Sequence, residues 1–188
     1  MNPPVLTTER LRLVPFRECD LPLLADLHSD PEVNRYLSPG PVPMSEAEVR
    51  RRLATYISDH QLHGISKWKL ETLEGDFIGR AGFSYLDCPA GIEMGYSLKR
   101  AAWGQGYATE IAGSLVEWFF QNTVHDILTA YAFMEHKASQ KVMLKCGFCH
   151  WRDMVKHGAP CSFYRICRED IRQTNGISRT VLMPRRVD

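Results

Sequence analysis

The sequence RAAWGQGYATE at residues 100–110 carries more chemical information than any other part of this chain. It lies between a predicted strand that ends at Leu98 and a predicted helix that begins near Gly106. Glycine at such a junction permits positive φ and lets backbone N–H groups approach a ligand closely. The first turn of a helix has unpaired N–H donors and a positive dipole end, which suits a pyrophosphate. An ordinary strand-to-helix turn remains an alternative, because Thr109 stands where a dinucleotide fingerprint has its third glycine.

Strand and helix patterns alternate on both sides of this turn. Period-two patterns predict strands at 8–16, 66–86 (a hairpin turning at 74–76), 92–98 and 127–133, and a final hairpin that turns at 156–160. Apolar residues three and four apart predict helices at 20–30, 45–57, 108–119 and 137–148. Ser45 and Glu48 have the spacing of a capping box. The order β-α-α-β-β-β-α-β-α-β-β predicts one mixed α/β domain over residues 1–172, followed by a tail at 173–188.

Composition and charge exclude several classes of protein. Hydrophobic residues make up 44% of the chain, charged residues 24%, and the formal net charge is +1. Such a small net charge gives no overall attraction to nucleic acid or to an anionic membrane. The sequence has no apolar run of ~20 residues, and its N-terminus lacks the pattern of a secretory signal. We therefore expect a cytoplasmic monomer or homodimer that binds neither nucleic acid nor membrane.

The sequence CGFCH at residues 146–150 matches the attachment motif of a c-type haem, and it also has the C-x-x-C spacing of a redox pair or half a zinc site. The chain's six cysteines are scattered, which is typical of reduced thiols. A zinc set made of Cys146, Cys149, His157 and Cys161 has irregular spacing for that metal. We expect no metal and no haem.

The sequence around Trp103 resembles motif A of the GCN5-related N-acetyltransferase (GNAT) superfamily, Q/R-x-x-G-x-G/A. Trp103 takes the first place, Gly106 the glycine and Ala108 the last small residue. WGQGYATE is especially similar to the RimJ/RimL branch, the ribosomal-protein N-terminal acetyltransferases and their relatives. Segments similar to the same branch follow in the expected order: TERLRLVPF (8–16), DPEVNRYL (30–37), GDFIGRAGF (75–83), IEMGYSL (92–98) and FYRICRED (163–170).

The resemblance implies a GNAT fold, with a mixed central sheet of about seven strands, about four helices and a splayed pair of parallel strands. It implies an acyl-CoA-dependent N-acetyltransferase, in which a primary amine of a protein N-terminus or small molecule attacks acetyl-CoA directly in a ternary complex. The residues that the resemblance places at acetyl-CoA are Tyr96, Ser97, Leu98, Trp103, Gly104, Gln105, Gly106, Tyr107, Ala108, Thr109, His136 and Ser139. The alternative is a non-catalytic coenzyme-A-binding regulatory domain.

The catalytic residues are less clearly marked. Because an amine is mostly protonated at neutral pH, a base must accept a proton, and Glu93 is the candidate. Family members often use a tyrosine on the helix after the fifth strand to protonate the coenzyme A thiolate, but Met143 stands at that position. Tyr131 and Ser139 are the substitutes to consider. Two of them also have a structural alternative, since Glu93 could face solvent and Tyr131 could pack in the core.

The resemblance also assigns CGFCH to the end of that helix. Cys146 takes the place of an apolar leucine, and a free cysteine behaves as a small hydrophobe. Gly147 suits the left-handed residue that follows a helix. The motif is therefore expected to be structural.

Overall fold

The computed structural model describes residues 3–37, 40–86 and 91–171. An eight-stranded sheet with the order β1-β2-β3-β4-β5-β6-β8-β7 forms its framework. The strands are β1 Leu6–Thr7, β2 Leu11–Val14, β3 Lys67–Thr72, β4 Phe77–Leu86, β5 Gly91–Leu98, β6 Ile127–Phe133, β7 Cys149–Lys156 and β8 Ala159–Cys167. The α-helices are α1 Leu21–Ser29, α2 Pro31–Asn34, α3 Glu46–His63, α4 Tyr107–Asn122 and α5 Lys137–Lys145.

The parallel pair β5 and β6 interrupts an otherwise antiparallel sheet. In the described part of the chain these strands pair in register only where Glu93 lies opposite Thr129. Beyond Glu93 they diverge, and a gap opens through the sheet. The mixed sheet with a splayed parallel pair confirms the predicted GNAT fold.

The element count is slightly higher than the sequence predicted. The predicted strand at 8–16 is shorter, as β2 at Leu11–Val14, because residues 8–10 form the turn between β1 and β2, with the Thr8 amide bonded to the Leu11 carbonyl at 2.8 Å. The segment after Asp30 forms its own short helix, since the Asp30 side chain accepts from the Glu32 amide at 2.9 Å. Local polar contacts thus shorten one predicted strand and add one short helix beyond the predicted helix end at residue 30.

The start of α3 matches its prediction only in part, whereas the end of α5 matches fully. Ser45 caps α3 by accepting from the Glu48 amide at 3.3 Å. The Glu48 carboxylate does not complete the predicted box but is bound by Arg51 and Arg52, each at 2.8 Å. At the end of α5, Gly147 has φ +89°, which confirms its left-handed conformation.

One face of the sheet packs against α4 and α5 to form the main core. Trp68 is fully buried there and meets Trp118 edge to face, with ring centroids 5.3 Å apart. Phe83 packs against Phe119 at 5.2 Å. Each such large side chain contributes about 1.5–3 kcal/mol of burial free energy. This core fixes the position of α4, and therefore of the glycine-rich turn at its start.

The opposite face of the central strands is polar yet buried beneath α1 to α3. Its buried side chains are Lys67, Lys69, Glu71, Arg80, Ser97 and Thr129. A second apolar cluster, with Phe16, Leu24, Leu53 and Tyr56 among its members, holds those helices together. Charged groups are therefore enclosed on one of the two faces of the sheet onto which the gap opens.

No helix among the described residues is long and apolar enough to cross a membrane. The predicted tail at 173–188, Cys88 and part of the predicted loop at 37–44 lie outside the described residues. The described hairpin turn between β7 and β8 confirms the prediction at 156–160. His157 and Gly158 have φ +53° and +75° there, the left-handed pair that a two-residue hairpin turn requires.

Candidate active site

A cavity of about 1000 Å³ occupies the gap between β5 and β6 and extends to both faces of the sheet. Its lining includes all the residues predicted to contact acetyl-CoA except Gln105. The three predicted catalytic residues, Glu93, Tyr131 and Ser139, line it as well. Residues scattered over 47 positions of sequence, from 93 to 139, thus meet at one site.

The glycine-rich turn has the conformation that an anion-binding turn needs. Gly104 and Gly106 have φ +73° and +82°, a region that most side chains disfavour. Among the described residues, the amides of 104–108 have no backbone partner, whereas the Thr109 amide bonds to the Gly106 carbonyl at 3.1 Å. The turn therefore offers free N–H donors at the positive end of α4, but Thr109 does not contribute its own.

An ion pair that the sequence did not reveal braces this turn. Arg10 donates from Nε to Glu110 at 2.7 Å and from Nη1 to the Gln105 carbonyl at 3.1 Å. Its guanidinium also lies over the Tyr107 ring, 4.7 Å from the centroid. Arg10 thus ties the first hairpin to the turn and adds positive charge beside it.

Trp103 stands at the mouth of the cavity. Its indole Nε1 donates to the Leu98 carbonyl at 2.9 Å, while 47% of its surface stays exposed. The side chain is therefore held by the end of β5 and remains available to cover a bound ligand.

On the α5 side of the gap, two hydroxyls meet. The Tyr96 hydroxyl lies 3.2 Å from Ser139 Oγ, and burial raises the pKa of Tyr96 to about 12. Tyr96 is therefore protonated at neutral pH. Met143, which takes the place of the family's tyrosine, is buried in the core. A tyrosine hydroxyl is thus present beside this helix but comes from β5, and its side chain was not singled out from the sequence.

The two cysteines of CGFCH differ in their surroundings, because Cys149 is exposed on β7 whereas Cys146 is partly buried. Cys146 packs against the main core and donates to the Thr109 carbonyl at 3.6 Å, and burial raises the pKa of its thiol to about 11. The considered zinc set is spread apart, because Cys149 and His157 lie at opposite ends of β7, roughly 25 Å from each other by strand rise. Within residues 3–37, 40–86 and 91–171, no three histidine, cysteine or acidic side chains form a group that could hold a metal ion.

On the polar face, Glu93 enters the cavity beside a buried lysine. Glu93 Oε1 lies 3.7 Å from Lys67 Nζ, which also donates to the Gly82 carbonyl at 3.1 Å. Glu93 Oε2 is buried and has no hydrogen-bond partner within residues 3–37, 40–86 and 91–171. Burial lowers the pKa of Lys67 to about 8, although the Glu93 charge opposes that shift. Glu93 is therefore an enclosed carboxylate with one oxygen free to accept.

Tyr131 lies on the same polar face, so the structure separates it from Ser139. Its hydroxyl is 3.3 Å from His157 Nε2, and its ring stacks on Phe163 at 5.1 Å. Burial, followed by the nearby Glu93 charge, raises the pKa of Tyr131. The two residues considered as substitutes for one acid thus lie on opposite sides of the gap.

His136 closes one wall of the cavity together with a residue that the sequence did not mark. The Tyr36 ring stacks on His136 with centroids 4.1 Å apart and an interplanar angle of 14°. Burial lowers the pKa of His136, which keeps the ring neutral at neutral pH. Tyr36 follows α2, so this stack links the helices over the polar face to the start of α5.

Comparisons with known proteins agree with this geometry. The family described as "Acetyltransferase (GNAT) domain" matches residues 10–149. An uncharacterised N-acetyltransferase of Bacillus licheniformis, p20, is 31% identical over 146 residues, which cover 76% of this chain and 81% of that protein. The chain belongs to the GNAT family and is an acyl-CoA-dependent acetyltransferase that uses acetyl-CoA as co-substrate.

Solved structures show the same fold at lower identity. An acetyltransferase from Agrobacterium tumefaciens has a TM-score of 0.77 at 22% identity, covering 89% of this chain and 96% of that one. RimL, a ribosomal-protein α-N-acetyltransferase solved in complex with coenzyme A, has a TM-score of 0.74 at 17% identity, covering 88% and 98%.

Proposed function

We propose that this protein is a RimJ/RimL-like N-acetyltransferase in which a primary amine attacks the thioester of acetyl-CoA directly within a ternary complex. The observation that carries the proposal is the gap between β5 and β6. It joins a turn with free backbone amides to an enclosed carboxylate on the opposite face of the sheet. A coenzyme and an amine could therefore approach the same point from two sides.

The proposed acetyl-CoA site follows the turn and the open edge of β5. The N–H groups of 104–108 would bind the pyrophosphate, with Arg10 nearby to balance its charge. The backbone of residues 96–98 would lie along the pantetheine, since β5 has diverged from β6 there. Trp103 would cover the mouth of this site.

The proposed chemistry needs one proton acceptor and one proton donor. Glu93 Oε2, which has no hydrogen-bond partner in the described part of the chain, would accept a proton from the attacking ammonium. The amine nitrogen then forms a bond to the thioester carbon, and backbone N–H groups of β5 that face the gap would stabilise the oxyanion. When the C–S bond breaks, the thiolate would receive its proton from the Tyr96–Ser139 pair. The nitrogen, which still carries one extra proton after it has bonded to the carbon, would release that proton to water, and water would return a proton to the Tyr96–Ser139 pair.

This assignment bears on the non-catalytic alternative. That alternative was motivated by the absence of the usual tyrosine at Met143. The Tyr96 hydroxyl, hydrogen-bonded to Ser139 at 3.2 Å, offers a replacement from another element. Tyr131, on the amine's side, would assist substrate binding rather than protonate the thiolate.

The test measures binding and turnover separately. Acetyl-CoA affinity is determined by calorimetry, and free thiol release is followed with a panel of primary amines, with each acetylated product identified by mass spectrometry. The proposal expects acetyl-CoA binding together with thiol release that depends on the added amine. Tight binding without any amine-dependent product would instead support a regulatory domain, and the absence of binding would refute the assigned site.

A further inference from the structure

The buried polar face of the sheet contains charged groups that mostly neutralise one another. Lys69 Nζ lies 3.0 Å from Asp20 and 3.1 Å from Glu71. Glu71 in turn is held by Arg12 at 2.9 Å. These side chains form a closed network in which each charge has an opposite partner. Their arrangement satisfies the requirement that buried ions be paired.

Arg80 is the exception among these groups. It is only 5% exposed, and its Nε has no hydrogen-bond partner among the residues that the structure describes. Among the described residues no carboxylate lies within ion-pair distance of its guanidinium, which lies over the Tyr56 ring, 5.8 Å from the centroid. The adjacent buried pair of Lys67 and Glu93 is already neutral as a pair. An unpaired buried guanidinium is costly unless an anion joins it.

The position of Arg80 shows where that anion would lie. Arg80 lines the same cavity as Glu93 and is directly across the strands from Ser97 on β5. Glu93 lies four residues from Ser97, on the same face of β5. Two unsatisfied polar atoms, Arg80 Nε and Glu93 Oε2, therefore belong to one cavity on the amine's side of the gap. One is a donor with a positive charge and the other is an acceptor with a negative charge.

We propose that the acceptor is a small amine that also carries a carboxylate, and that Arg80 binds this carboxylate while the amine faces Glu93. This inference rests on the proposed function, because it assigns the substrate class of that site. A guanidinium edge matches the two oxygens of a carboxylate in geometry. One unpaired cation also calls for a single negative charge. A phosphate, with a charge of about −1.5 to −2, would leave negative charge in excess beside Glu93.

The experiment compares each of several amino acids with its own carboxamide as acceptor, at saturating acetyl-CoA. O-Phosphoethanolamine serves as the phosphate-bearing amine. The variants are Arg80→Met, which removes the charge, and Arg80→Lys, which keeps the charge but loses the paired N–H donors of the guanidinium. Arg50→Met is the matched control, because Arg50 is an exposed α3 residue paired with Glu46, and its loss changes net charge equally. Acetyl-CoA affinity is measured for every variant.

The wild-type protein is expected to favour carboxylates over carboxamides in kcat/KM by about 10-fold or more, the usual effect of a hydrogen bond to a charged group. Arg80→Met should lower kcat/KM for carboxylates by about 10²-fold and bring that preference close to unity. The carboxylate preference of Arg80→Lys should lie between those of the wild-type protein and Arg80→Met. Arg50→Met should retain the preference, and acetyl-CoA affinity should be unchanged throughout.

Several results would overturn the inference. These are equal rates with carboxamides in the wild-type protein, a preference that survives in Arg80→Met, or a preference for the phosphate. If acetyl-CoA binds but no amino acid is acetylated, the carboxylate class is rejected while the cofactor site stands. If acetyl-CoA does not bind, the proposed function fails first. Should Arg80→Met be unfolded by circular dichroism, the wild-type comparison and Arg80→Lys still decide the outcome.

Discussion

Aspartate in place of Gly106 would add a negative charge to the turn proposed to hold the pyrophosphate of acetyl-CoA. Gly106 has φ +82°, and aspartate and asparagine are the side chains that tolerate this region best. A Cβ there would meet only Arg10 Nη2, at an ordinary contact distance of 3.5 Å. Both Gly106→Asp and Gly106→Asn should therefore fold. The two variants share shape and backbone strain and differ in charge.

The expected effect follows from Coulomb's law. A carboxylate about 5 Å from a phosphate charge is repelled by roughly 3 kcal/mol at an effective dielectric constant of 20, and by less than about 1 kcal/mol in bulk water. Gly106 is exposed and Arg10 lies beside it, so the repulsion should fall between these limits. A difference of about 1–3 kcal/mol corresponds to acetyl-CoA affinity about 5- to 150-fold weaker for Gly106→Asp than for Gly106→Asn.

Calorimetric titration with acetyl-CoA measures this difference, and thermal unfolding checks that both variants are folded. The ratio of the two dissociation constants should decrease as ionic strength rises, because salt screens exposed charges. Equal affinities in low salt would refute the idea that the turn binds the phosphates. If both variants lose the same amount of acetyl-CoA affinity at every salt concentration, backbone strain and not charge is responsible for the loss.

Three other substitutions test the remaining assignments. Glu93→Gln should slow acetyl transfer by about 10²-fold or more at neutral pH, and the deficit should shrink at high pH, where free amine is abundant; an unchanged rate–pH profile would remove Glu93 from the mechanism. Tyr96→Phe should lower kcat by about 10²-fold while acetyl-CoA affinity stays within a few-fold, and an unaltered kcat would reject the Tyr96–Ser139 pair as donor. Replacing Cys146 and Cys149 together with alanine should cost about 1 kcal/mol in denaturant unfolding, because only Cys146 packs against the core, and loss of acetyl-CoA binding would contradict a structural role for CGFCH.

The sequence was most informative where structure depends on local patterns. The turn at 103–108, the strand at 92–98 and the glycine at the end of α5 were all predicted, since each is determined by neighbouring residues. Local reasoning failed at residues 8–16, where a turn at 8–10 shortens the predicted strand to Leu11–Val14. Hydrophobic alternation alone does not show where this strand begins, because Thr8, Glu9 and Arg10 are all polar.

The residues that the sequence did not reveal act through distant partners. Arg10 contacts Glu110 across 100 positions of sequence, and Lys67 meets Glu93 only after β3, β4 and β5 have paired. A signal for the second pair was present in KWKLE and FIGRAG, where charged residues alternate with apolar ones on strands that proved to be central. Charge on a central strand indicates a buried polar face. Which of these charges pair with one another depends on strand register. The sequence therefore could not show that Arg80 has no carboxylate partner among the described residues.

The proposed base and acid are both supplied by β5, and the strand's geometry explains why their side chains lie on opposite faces of the sheet. Glu93 and Tyr96 are three positions apart, so the two-residue period of a strand sends them to opposite faces of the sheet. Glu93 meets Lys67 on the polar face, whereas the Tyr96 hydroxyl meets Ser139 on the α5 side. Three residues span roughly 10 Å along a strand. A proton accepted from the amine on one side is thus kept away from the hydroxyl pair that would protonate the thiolate on the other. The thioester, held in the gap between them, would be the only point at which the two proton transfers are coupled.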